Sequence, residues 1–120
     1  MYVMPIFQTG GCAILNPTTL KANALSDVLT RNYHEVFGSE EPTYATKLGL
    51  MARLVLEMIA NSDALYHDVG HTMLVTLVGQ EILRRRHVKT QQTPIDWLHY
   101  TVATLCHDIG YVRDLFAKSG

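Results

Sequence analysis

The sequence predicts an all-α fold, a helical bundle of four or five helices. Three observations carry that expectation. Apolar residues recur three and four apart over most of the chain, which is the period of a helix. No convincing alternation of apolar and polar residues marks a strand. Pro17, Gly38-Ser39, Pro42, Asn61-Ser62-Asp63, Pro94 and Gly110 divide the chain into helix-sized pieces.

Each element has its own signal. Residues 1–18 read as an irregular lead-in, because Pro5, Gly10, Gly11 and Pro17 break every periodic pattern. Asn16-Pro17-Thr18 is a helix start, and Leu20, Leu25, Val28, Leu29 and Val36 line one side of a first helix over about 19–37. Pro42 opens a second, about 43–61, with Leu48, Met51, Val55, Met58 and Ile59 at helical spacing. Leu50 and Leu54 widen that stripe and predict burial on more than one side.

A third helix is expected from about 67 or 71 to 87. Leu74, Val75, Leu77, Val78, Ile82 and Leu83 surround most of it, which predicts a central position. Gly79 inside it costs about 1 kcal/mol relative to Ala, a cost that a close helix contact would explain. Arg84-Arg85-Arg86-His87 suits the negative end of the helix dipole. Thr93-Pro94-Ile95-Asp96 then starts a fourth helix, with Leu98, Val102, Leu105 and Ile109 on one side and Gly110 ending it.

Composition narrows the function classes. The 120 residues are the size of one domain, placed at 19–120. A formal charge of −1 argues against a nucleic-acid binder held by bulk charge. No apolar run approaches the roughly 20 residues of a bilayer span. The first basic residue is Lys21, so the N-terminus does not read as a secretory signal, and Gly10-Gly11-Cys12 lacks the flanks of a lipoprotein site. Two cysteines make no disulfide framework, and a reducing cytoplasm is the expected compartment.

The chemistry gathers in two places. His67 and His71 stand four apart in Tyr66-His67-Asp68-Val69-Gly70-His71-Thr72, and four apart is one helix face. His107 and Asp108 adjoin in Leu105-Cys106-His107-Asp108-Ile109-Gly110-Tyr111. Imidazole nitrogens with a carboxylate suit a divalent ion such as zinc, iron, manganese, nickel or cobalt. A lone His-x-x-x-His is weak evidence and a His-Asp dipeptide weaker; the pair, both embedded in apolar helical sequence, is the stronger signal. A structural zinc site is disfavoured, since neither Cys12 nor Cys106 has a suitable partner. His34 and His87 read as solvated, His99 as polar or structural, Arg84-Arg85-Arg86 as an exposed helix end in preference to a cluster that attracts a phosphate substrate, and Asp63 as a cap. Trp97 and Cys106 read as packing residues.

Tyr66-His67-Asp68-(x2)-His71-Thr72 followed by Cys106-His107-Asp108-Ile109-Gly110-Tyr111 resembles the HD-domain metal-dependent phosphohydrolase superfamily. The first of these motifs is similar to its cyclic-nucleotide phosphodiesterase branch. Val75–Leu83 and Asp96-Trp97-Leu98-His99 also look like a bacterial, often cyanobacterial, group of metal-dependent phosphohydrolases. The resemblance covers about 45–118 and implies an HD-like bundle.

By position it implies His71, His107 and Asp108 as metal ligands, with Asp108 able to bridge two ions, and His67 as the acid that protonates the leaving oxygen. Asp68 stands where that branch usually has Asn. The implied cofactor is one or two divalent ions, with magnesium added to the candidates above. The implied reaction is hydrolysis of a phosphoester, of a nucleotide or cyclic nucleotide, by hydroxide formed on the metal. The implied partner is a small phosphoester, neither a nucleic acid duplex nor a membrane. The family signature also has a later Asp well downstream. Asp114 is too near to match, so the chain is expected to lack the C-terminal part of the domain. The alternative is a non-catalytic helical signalling or binding module on the same scaffold.

Overall fold

A computed structural model describes residues 16–61 and 69–107. They form four helices: α1 (Pro17–Phe37), α2 (Pro42–Ala60), α3 (Val69–Lys89) and α4 (Pro94–Leu105). Among the described residues there is no strand, and the fold is an all-α bundle. No helix among them is long and apolar enough to cross a membrane.

Local chemistry sets the helix ends. Asn16 caps α1, its side-chain oxygen accepting from the Thr18 N–H at 2.9 Å and the Thr19 N–H at 3.2 Å, with Pro17 in the first turn. Gly38 ends it at φ 62 and ψ −127, backbone that only glycine enters easily. The turn to α2 is tied down by Tyr33, whose hydroxyl donates to the carbonyls of Glu40 (2.6 Å) and Glu41 (3.1 Å). Burial, with the Glu41 and Glu40 carboxylates beside it, holds that phenol above its ordinary 10.0. Thr93 caps α4 by accepting the Asp96 N–H at 3.2 Å.

The core lies between α1, α2 and α4. Leu25, Leu29 and Tyr33 pack with Leu48, Val55, Leu56, Ile59, Trp97 and Leu105, all buried. α1 and α2 approach closely at Gly49, where an added Cβ would lie 2.8 Å from the Ser26 hydroxyl. The side burial expected of Leu50 and Leu54 does not occur; both are exposed, as are Leu20 and Met58.

The central position expected for α3 is corrected by the structure. Its buried face is Thr72, Thr76, Gly79, Gln80 and Leu83. Leu74, Leu77, Val78 and Ile82 are 61%, 38%, 51% and 47% exposed. The helix is therefore peripheral and turns its apolar side outward. A polar ladder fixes this orientation. Gln80 donates to the Thr101 hydroxyl at 2.9 Å and accepts from the Asn32 amide at 3.0 Å. Arg84 donates to Asn32 Oδ1 and Glu35 Oε1, both at 3.1 Å. Rotating the apolar side inward would strand these groups, at about 1–3 kcal/mol for each unpaired buried one.

Among the described residues the Thr76 hydroxyl is buried without a hydrogen-bond partner. Thr76→Val keeps the shape and removes the orphan, so stability should rise by about 1 kcal/mol in urea unfolding. A fall would mean the hydroxyl is satisfied in solution.

Candidate functional site

Residues 90–93 join α3 to α4, so the two helices run antiparallel and the start of one meets the end of the other. Three contacts fix the register. Gly79 lies against Thr104, Gln80 bonds Thr101, and His71 meets His107. The first is the tightest. A Cβ at position 79 would be 2.9 Å from Thr104 Cγ2, so glycine there permits a separation that no other residue allows. The expected close contact at Gly79 is thus present.

His71 stands in the first turn of α3, and His107 lies two residues past α4. Although 36 positions apart in the chain, their ring centroids are 5.8 Å apart at an interplanar angle of 57°. Both side chains are exposed at the helix ends. His107 Nδ1 lies 2.8 Å from the Thr104 carbonyl. A carbonyl only accepts, so Nδ1 carries a proton and donates it. Metal-binding histidines are commonly oriented this way. With metal–nitrogen bonds of about 2.0–2.1 Å, two imidazoles on one ion place their centroids roughly 5–6 Å apart. The 5.8 Å separation of the pair lies in that range.

The other two site candidates, His67 and Asp108, lie outside the described residues. Among the described residues no three His, Cys, Asp or Glu side chains gather as a metal-binding group. Cys106 is half-buried next to His107.

The remaining polar candidates separate from the pair. His99 borders an apolar groove of about 560 Å³ between α2 and α4, walled by Leu50, Met51, Leu54, Leu98 and Val102; neither His71 nor His107 lines it. His87 is not solvated, as its sequence suggested. Its ring packs edge-on against Phe37 (5.5 Å) and Trp97 (5.9 Å), and its Nδ1 accepts the Gln92 N–H at 2.9 Å. His34 is exposed and donates through Nδ1 to the Gly38 carbonyl at 3.0 Å. Arg84 is held by Asn32 and Glu35, and Arg85 by Glu81 at 3.6 Å. Sequence reasoning gave no role to Thr104. It acts through its backbone carbonyl, which any residue would supply, so no sequence signal could mark it.

The chain matches the Npun_R2479-like family over residues 15–119 and belongs to that family. No curated protein and no solved structure matches it.

Two outcomes test this geometry. Gly79→Val should lower stability by about 1–3 kcal/mol, the usual cost of overpacking, as read by thermal unfolding. An unchanged midpoint would mean that α3 and α4 separate freely. His71→Ala and His107→Ala should each change stability by no more than about 0.5 kcal/mol, because both rings are exposed. A loss well above that would make the pair a structural contact.

Proposed function

We propose that this member of the Npun_R2479-like family is a metal-dependent phosphohydrolase acting on a small phosphoester, a nucleotide or cyclic nucleotide being the best candidate, in the cytoplasm. The observation that supports the reading is the meeting of His71 and His107 at 5.8 Å, with His107 donating from Nδ1 to a backbone carbonyl. Two exposed imidazoles that contribute little packing, one of them oriented by a backbone carbonyl, suit ligation better than fold maintenance. The resemblance to the HD-domain superfamily adds Asp108 as a third ligand and His67 as the acid.

In this reading His71, His107 and Asp108 hold one or two divalent ions. A divalent ion bound there supplies Lewis acidity and lowers the pKa of water. A metal competes with protons for the ring nitrogens of His71 and His107, so binding there would release protons. Asp108 contributes negative charge that raises affinity for the cation. His67, four residues before His71, donates a proton to the departing oxygen when it is an imidazolium. The apolar groove between α2 and α4 is the observation that favours the alternative, a binding module on the same scaffold.

Metal analysis and phosphoester hydrolysis, measured on the same preparations, decide between them. His107→Ala and Asp108→Ala should lose metal and activity together. His67→Ala should keep its metal and lose about 10²–10⁴ in rate, with less loss for a nitrophenyl ester, whose leaving group needs no proton. Full activity in a metal-depleted His107→Ala protein would place the chemistry elsewhere.

A further inference from the structure

Among the described residues, α3 carries an apolar stripe that no other helix covers. Leu74, Val78 and Ile82 recur at steps of four on the side away from α1 and α4, with Leu77 beside them. His71 and Arg85 stand seven residues before and after Val78, so they extend the same line at its two ends. The stripe is symmetric about Val78, a self-complementary pattern suited to a two-fold contact.

We propose that the chain pairs with a second copy of itself through antiparallel α3 helices crossing at Val78, and that this pairing sets the partner's Arg85 beside the His71–His107 pair, as a cation for the anionic oxygens of a phosphoester. The second clause rests on the phosphohydrolase reading; the pairing does not.

Charge decides the direction. The last turns of α3 hold Arg84, Arg85, Arg86 and Lys89. Parallel pairing would gather two such clusters at one end, and the helix dipoles would add to the repulsion. Antiparallel pairing separates the clusters and opposes the dipoles. In that register Leu74 meets the partner's Ile82, Val78 meets its counterpart, and His71 meets the partner's Arg85. Arg85 is free to turn toward it, since its side chain is 80% exposed and its contact to Glu81 is a surface pair.

Size sets the strength. The stripe with Glu81 and Arg85 offers on the order of 600 Å² per copy, somewhat less than the roughly 800 Å² per partner of a standard interface. A reversible, concentration-dependent dimer follows. A cover supplied by another segment of this chain would instead leave a monomer.

Sedimentation and disulfide trapping of the full chain test the pairing. Wild-type protein should shift from monomer to dimer with concentration. Val78→Asp should remain monomeric with an unchanged helical circular-dichroism spectrum, because position 78 is outside the core. In a Cys12→Ser, Cys106→Ser background, Leu74→Cys mixed with Ile82→Cys should form a mixed disulfide dimer on oxidation, and neither should do so alone. Self-linking of each single variant would establish parallel pairing and overturn the proposal, as would a wild-type monomer at every concentration. For the second clause, Arg85→Ala should stay dimeric and bind inorganic phosphate at least about tenfold more weakly than wild type. Equal phosphate binding would remove Arg85 from the site. If the wild-type protein hydrolyses no phosphoester, the functional reading falls while the disulfide pattern still decides the pairing.

Discussion

The separation of α3 and α4 is set where Gly79 lies against Thr104, and the candidate site depends on that contact. Because position 79 lacks a Cβ, the helices approach until the glycine backbone meets the threonine methyl. The same approach lets Gln80 reach the Thr101 hydroxyl one turn away. It also brings the start of α3 to the end of α4, where His71 and His107 meet. The contacting threonine supplies, through its carbonyl, the acceptor for the His107 Nδ1 proton. One absent side chain thus governs the spacing of the pair.

The second constraint is the polar ladder through the bundle, from Glu35 and Arg84 through Asn32 and Gln80 to Thr101. It links α1, α3 and α4, none of which could rotate without unpairing a member. The ladder decides that α3 faces inward with Thr72, Thr76 and Gln80 and outward with leucine, valine and isoleucine. In most surface helices the apolar side is the buried one. Here hydrogen bonding at the interface decides the orientation, and among the described residues Leu74, Leu77, Val78 and Ile82 lie exposed.

These two constraints place His71 and the exposed apolar stripe on one helix. His71 opens the line that Val78 continues and Arg85 closes. A contact made along that line would therefore be felt at the histidine pair without any movement of the core, which lies on the opposite side of α3.

Much of the fold was legible in the chain. Helix starts at Pro17, Pro42 and Pro94, the glycine stop at Gly38, and the all-α class follow from local rules of capping and fixed φ, which act within a few residues. The two histidine motifs were legible as residue types at helical spacing. What sequence could not decide was which side of α3 faces inward, because its apolar residues surround most of the helix and its partners Asn32 and Thr101 are distant in the chain. It misjudged His87 for the same reason, since Phe37 and Trp97 come from other helices. The meeting of His71 with His107 likewise required the tertiary structure, because only the antiparallel register of α3 and α4 sets which ends of the two helices coincide. Local chemistry determined where α1, α2 and α4 begin and where α1 ends; long-range contacts at Gly79 and Gln80 determined which faces meet.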